Sequence, residues 1–350
     1  MRKRVLSVLQ YIVFLGGGIF LVWWQLRSMT PAEKADFKNS LQFANYWLVI
    51  PVVVISLLSH ISRAMRWKLL MEPLNYRPSL KNLFSVIMVG YLANAAVPRL
   101  GEVLKCTFLA RYEKLHVDKL FGTIVIERIF DLICYMVFIG ITILIQINIV
   151  GGYLRGKLMD LSRSSGFPLW GKLLIVISFL GFVFYGIKYL FKKYPGNKLI
   201  SKINNFLRGI IEGMKTIRNL KHRKQFLAHT FFIWTMYLLQ IYIGFSAMET
   251  TSSLGLKPAF TLLSVATLAM IVTPNGIGTF PLFVTEALLI YNIPYPAGNA
   301  FGSLIWGINT GIVIIFGLAA LLLLPYINKN KNEISTINTN QDPQHTTTSV

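Results

Sequence analysis

The chain has 350 residues, 54% hydrophobic and only 14% charged, which excludes both an ordinary soluble domain and a disordered chain. Its net charge of +21, from 35 Lys and Arg against 14 Asp and Glu, would suggest nucleic acid in a soluble protein. Here several runs reach the ~20 apolar residues that cross a bilayer, so the excess fits basic loops held at an anionic cytoplasmic leaflet; no nucleic-acid motif is present.

The chain opens on Met1-Arg2-Lys3-Arg4, and the apolar run behind it continues to Trp24 without a small-residue cleavage site. A retained first helix is therefore expected. Spans are predicted at Val5–Leu26, Tyr46–Met65, Leu120–Ile149, Lys172–Phe191, Phe226–Met248 and Asn299–Tyr326. Two further helical segments, Leu80–Arg111 and Pro258–Tyr291, are interrupted by Pro98 and Pro274. The apolar run before each proline is roughly half to three quarters of a span. Cys106 and Cys134 lie in or beside hydrophobic segments, and their spacing is neither a metal site nor a disulfide framework.

Positive charge decides how the broken segments run. With the basic N-terminus inside, the loop holding Arg27, Lys34 and Lys38 is outside, and that holding Arg63, Arg66, Lys68, Arg77 and Lys81 is inside. Residues 111–119, with Arg111, Lys114 and Lys119, are also basic, so Leu80–Arg111 enters and leaves from the cytoplasmic side. Pro258–Tyr291 then enters and leaves from outside. The expectation is an all-α polytopic bundle over residues 1–327, with about six spanning helices and two Pro/Gly-broken re-entrant helices in an inverted repeat. Both termini are expected in the cytoplasm of a bacterial-type inner membrane. Residues 192–224 read as an amphipathic helix, either on the cytoplasmic membrane surface or packed on the protein itself. Residues 328–350 read as a disordered polar tail.

Three constellations carry candidate chemistry. Glu127, Arg128 and Asp131 sit in an apolar helix, where each charge costs roughly 2.5–3.5 kcal/mol near the bilayer centre. Glu127 and Asp131 share a face. The group is either an internal ion-pair clamp, with Arg128 reaching Glu102, or a headgroup or ion site. Pro98-Arg99-Leu100-Gly101-Glu102 places both charges beside a helix break. The amides of the half-helix beginning near Gly101 suit a phosphate, Arg99 can pair with it through two parallel hydrogen bonds, and Asn94 adds an uncharged donor and acceptor. The alternative is that these groups only satisfy the broken backbone. In the second break, Asn275, Gly276 and Gly278 form a flexible uncharged turn, either a substrate contact or a packing turn, with Glu286 beyond it. Arg63 and Arg66, beside Trp67, read singly as interface anchors and together as a receiver for an anionic headgroup.

No nucleotide loop, zinc-binding His pair or serine-hydrolase motif is present, so neither an enzyme nor a cofactor or metal is expected.

Taken in order, Arg63-Ala64-Met65-Arg66-Trp67, Gly90 to Asn94, Pro98 to Lys105, Glu127 to Asp131 and Thr273-Pro274-Asn275-Gly276-Ile277-Gly278 resemble one family. It is the flippase-like transmembrane region of lysylphosphatidylglycerol synthases and its stand-alone relatives, and the resemblance runs over roughly residues 5–326. It implies an inner-membrane protein that moves a polar lipid between leaflets. A soluble aminoacyl-transfer domain is not expected, so tRNA-dependent lysyl transfer is not carried over. Pro281 stands where many relatives would carry an acidic residue, which separates Glu286 from an implied role. The expected partners are membrane lipids and anionic headgroups at the cytoplasmic face; a homo-oligomer is left open. The rival readings are a non-transporting scaffold for a lipid- or glycan-modifying enzyme and a small-anion carrier.

Overall fold

The computed structural model describes residues 2–146 and 220–329. The predicted span Lys172–Phe191, nearly all of the 192–224 helix and the tail from residue 330 lie outside them. The chain divides into two compact units, residues 1–125 with 220–350, and residues 126–219. Every regular element among the described residues is helical. Among the described residues, four helices are long and apolar enough to cross a membrane: Tyr46–Leu74 (with its flanking turns), Val117–Ile145, Arg223–Phe245 and Tyr295–Ile327. In chain order the helices are α1 (Arg2–Ser28), α2 (Pro31–Gln42), α3 (Val49–Met71), α4 (Leu80–Ala96), α5 (Leu100–Glu113) and α6 (Val117–Ile145). After them come α7 (Arg223–Phe245), α8 (Leu256–Val272), α9 (Thr279–Leu289) and α10 (Tyr295–Ile327), with a one-turn helix at Glu249–Ser252.

Several predicted boundaries move. The segment read as an external loop contains α2, which Thr30 and Glu33 cap reciprocally, with Pro31 in the first turn. The Thr30 amide and hydroxyl hold the Glu33 carboxyl below the usual carboxylate range. Helix α3 runs past Met65 to Met71 because Arg66, Trp67, Leu69 and Leu70 are buried against neighbouring helices.

Helices α3 and α7 form an antiparallel pair. At one end the Asn45 amide donates to the Ala247 carbonyl at 2.8 Å; at the other, His222 lies 3.9 Å from Glu72.

Both broken segments fold as helical hairpins with joined open ends. In the first, α4 and α5 turn back over residues 97–99. The Ser79 amide and the Asn82 side chain both donate to Glu113 Oε1, at 3.0 and 2.6 Å. Near the tip Gly90 and Gly101 bring the two backbones into contact; a Cβ on Gly101 would collide with the Gly90 carbonyl and the Asn94 side chain. In the second, α8 and α9 turn over residues 273–278, and the hydroxyls of Thr261 and Tyr291 meet at 2.8 Å across the open end.

Helix α10 packs against both hairpins and shows how they are arranged. Its first turns receive the second hairpin: Gly298 lies against Thr285 and Leu288, and Gly302 against Pro281 and Val284. Trp306 and Thr310 meet that hairpin's tip, the indole donating to the Asn275 carbonyl at 2.8 Å and the hydroxyl accepting from Asn275 Nδ2 at 3.1 Å. Further along, Gly317 takes Leu92 of the first hairpin, and Met88, Val89 and Ala320 share an apolar core. At its end, Asn328 exchanges two 2.8 Å hydrogen bonds with Asn82 at the first hairpin's open end. The two hairpins therefore approach from opposite ends of α10. Thr310 and Gly317 are about 10 Å apart at 1.5 Å per residue, so the tips converge near the middle of the helix. The turn 274–276 also lies against α4. Asn328, read from sequence as the start of the tail, is thus buried and paired, which moves that boundary.

The contact of Gly90 with Gly101 yields a test. Gly101→Ala is expected to lower stability by about 1–3 kcal/mol, as overpacking does. Gly307→Ala, where a Cβ meets nothing within 4 Å, is expected to leave the melting temperature unchanged or slightly higher. Thermal unfolding of the two purified variants checks both.

Candidate functional site

The first tip is built by proline and glycine. Val97, before Pro98, is forced extended at φ −139° and ψ 119°, which ends α4. Arg99 then takes the left-handed conformation at φ 67°, uncommon for a residue other than glycine, and α5 starts at Leu100. Asn94 stabilises this turn from one helical turn back. Its Oδ1 accepts from the Gly101 amide at 2.8 Å, and its Nδ2 donates to Glu102 Oε1 at 3.3 Å. One of the amides expected to face a phosphate is therefore held by Asn94, and Glu102 already complements the helix dipole. Arg99 is different: its side chain is exposed at the tip and caps nothing.

Arg63 and Arg66 are not interface anchors. They are buried between α3 and α7, at 7% and 0% exposure. Arg63 Nη2 donates to the Tyr237 hydroxyl at 2.9 Å. Arg66 Nη1 donates to Thr230 Oγ1 at 3.3 Å, with its guanidinium 5.7 Å from the Phe226 ring centroid. One turn away, Ser62 Oγ lies 2.9 Å from His229 Nδ1. This seam reaches the first hairpin through His60, whose ring is 5.1 Å from that of Tyr91, and through Trp67. The ammonium of Lys105 sits 4.1 Å above the Trp67 ring, and the indole donates to Thr123 at 2.9 Å. Three cations from α3 and α5 thus lie buried beside the first hairpin.

The second tip is neutral and heavily bonded. Asn275, Gly276 and Gly278 all have φ between 53° and 73°, which curls the turn tightly. A Cβ on Gly278 would collide with the Gly18 carbonyl of α1, so glycine is required there for the approach as well as for φ. Gln25, also of α1, donates to the Gly278 carbonyl at 2.9 Å and accepts from Asn299 at 2.7 Å. Pro281 lies in the first turn of α9, where no amide donor is needed, and packs against Gly302. Glu286 is exposed further along α9.

A sequence profile described as the lysylphosphatidylglycerol synthase TM region matches residues 7–330. The chain belongs to that family. Among relatives in it, a UPF0104 membrane protein of Methanocaldococcus jannaschii is 23% identical over 300 residues, covering 81% of this chain and 87% of the relative. One from Pyrococcus horikoshii is 24% identical over 304 residues, covering 79% and 84%. No solved structure is significantly similar. As a member of the lysylphosphatidylglycerol synthase transmembrane family with four such apolar helices, this is an integral membrane protein.

Within the family fold, the two breaks that the sequence singled out converge on one helix. Glu127, Arg128 and Asp131 fall in the second unit, Glu127 buried, Asp131 half-buried and Arg128 exposed. Sequence reading passed over the Gln25–Asn299 pair, and Thr230 and Tyr237 as partners of the arginines. A polar amide inside an apolar run was the available signal for Gln25 and Asn299; nothing local marks Thr230 or Tyr237.

The arginine seam separates structure from activity by substitution. Arg66→Ala is expected to cost about 2–5 kcal/mol, as large-to-alanine changes in packed cores do. Arg66→Met, of similar length and apolar, should recover most of that stability. Thermal melts of both variants in detergent decide it.

Proposed function

We propose that this protein moves a phosphate-bearing polar lipid between membrane leaflets. The headgroup would pass where the two hairpin tips converge, while its tails stay in lipid. The observation that carries this reading is the exposed Arg99, held left-handed at a helix break inside an apolar bundle. Non-helical backbone at membrane depth is tolerated only where protein or a wet cavity surrounds it. A planar guanidinium there suits a phosphate. An apolar cleft of about 370 Å³ beside the middle of α10, lined by Leu41, Ser303, Leu304, Gly307 and Ile308, is compatible with an acyl chain.

In this reading both hairpins are re-entrant and the repeat is inverted. With α10 crossing the bilayer, the first hairpin opens on the face bearing Arg77, Lys81, Arg111, Lys114, Lys119, Arg223, Lys224 and Lys329, and the second on the face bearing Arg27, Lys34, Lys38 and Lys257. The positive-inside rule makes the first face cytoplasmic, which puts both termini there. Single cysteines at 112–116 and at 250–256 should then label from the cytoplasmic and external sides respectively. Labelling from one side alone sinks the inverted arrangement.

The transport assay uses a fluorescent phospholipid in proteoliposomes. Arg99→Gln is expected to slow its movement by tenfold or more, about 1.4 kcal/mol of lost interaction. Arg99→Lys keeps the charge without the planar fork and should be intermediate. Neither should change the melting temperature much, because the side chain caps nothing. Parent-like flipping by Arg99→Gln would move the phosphate contact to the Arg63 and Arg66 seam. No flipping by the parent, with an enzyme co-purifying, would favour a scaffold.

A further inference from the structure

We propose that a cleft at the head of α10, between Trp24, Glu33, Glu286 and Tyr295, binds an organic ammonium group. The cleft encloses about 220 Å³. Trp24 comes from α1, Glu33 from α2, Glu286 from α9 and Tyr295 from α10, and Met29 and Leu282 complete an apolar wall. Sites for drug-sized ligands run to ~300–1,000 Å³, so this one suits a small head group.

Two carboxylates line the cleft without a counter-ion. Among the described residues, neither Glu33 nor Glu286 has a cation within ion-pair distance. The amide and hydroxyl of Thr30 both donate to Glu33 Oε2, which leaves Oε1 for a ligand. Both carboxylates act electrostatically on the Tyr295 phenol, so they share one field. The basic residues of this end are placed otherwise. Arg27 lies over the Trp23 ring, 5.0 Å from its centroid, and Lys34 and Lys38 are exposed.

The mixture of walls names the class. A calcium ion takes about six to eight oxygen ligands, whereas here an indole, a thioether and a leucine form much of the wall. An alkylated ammonium combines the charge that carboxylates attract with the apolar surface that an aromatic face attracts. The depth of the cleft is also fixed. Exposed Trp23, Trp24, Phe43, Tyr46 and Trp47 gather at this end of the bundle, and exposed Tyr326 marks the other. Gln25 bonds Asn299, which levels Trp24 with the first turns of α10. From Asn299 to Tyr326 is about 40 Å along the helix, the thickness of a bilayer with its headgroup layers. The cleft therefore stands in the headgroup layer, at the end where the second hairpin opens. An ammonium reaches it either free from solution or on a zwitterionic lipid. The site stands independently of the transport reading; where that reading holds, it lies on the external face.

The test is thermal unfolding of the full-length protein in a maltoside detergent, which carries no ammonium. Choline chloride, sodium chloride and calcium chloride are compared at equal ionic strength. The expected result is a choline-specific rise in melting temperature that saturates with concentration, as binding to the folded state requires. Glu286→Gln and Trp24→Leu should each raise the choline midpoint about tenfold, the scale of losing one such contact. Both side chains are exposed, so both variants should fold. Trp24→Phe keeps a ring and should fall between parent and Trp24→Leu. Glu249→Gln, at an exposed acid outside the cleft, should respond like the parent. Dihexanoylphosphatidylcholine below its micelle concentration separates the sources. A midpoint well under that of choline assigns the site to a lipid headgroup, and an equal or higher one to a soluble amine. Equal stability in choline and sodium chloride overturns the proposal. So does a rise with calcium alone, or an undiminished choline response in Glu286→Gln. Because no lipid movement is measured and Arg99 stays intact, a failure here leaves the transport reading to its own assay.

Discussion

Backbone released by a break inside an apolar bundle must be satisfied by the protein itself, and this constraint shapes both hairpins. The first break meets it with Asn94, which binds the Gly101 amide and Glu102 at once. The second meets it with Gln25, Trp306 and Thr273, which bind the carbonyls of Gly278, Asn275 and Ile277. Each partner is a polar side chain that would be costly in lipid and is stable only because a freed backbone group faces it. The polar residues and the breaks therefore require one another.

Close backbone approach is the second requirement. Gly101 against Gly90, Gly278 against Gly18, and Gly302 and Gly317 along α10 let backbones meet where a side chain would intrude. In a bilayer, where the hydrophobic effect does not drive helices together, such packing is a main source of cohesion. It is also why α10 can hold both hairpins along one helix and bring their tips together.

The two tips are chemically unlike. The first carries the exposed guanidinium of Arg99 at the start of a helix, where the dipole is positive. The second carries carbonyls and hydroxyls at the end of a helix, where it is negative. The two breaks thus present opposite polarity. The buried Arg63, Arg66 and Lys105 add positive potential on the side of the first tip, partly offset by hydroxyl and aromatic partners.

Much of the architecture was legible in the sequence because it rests on local chemistry. Runs of apolar residues set the long apolar helices, and Pro98 and Pro274 set the breaks. The cap formed by Thr30 and Glu33 was equally legible, since it depends on four consecutive residues, yet its helix was read as loop. Other features depend on residues far apart in the chain. That Arg63 and Arg66 are buried follows from Tyr237 and Thr230 lying across from them, more than 160 positions away. That Asn328 is ordered follows from Asn82. By itself the sequence determined where the helices break and which residues flank each break. Only the tertiary structure decided that Asn94 takes an amide expected to face an anion, that Arg99 stays exposed, and that both tips meet on α10. The physical reason is that hydrogen-bond satisfaction and close packing are properties of pairs, and a single residue's type does not name its partner.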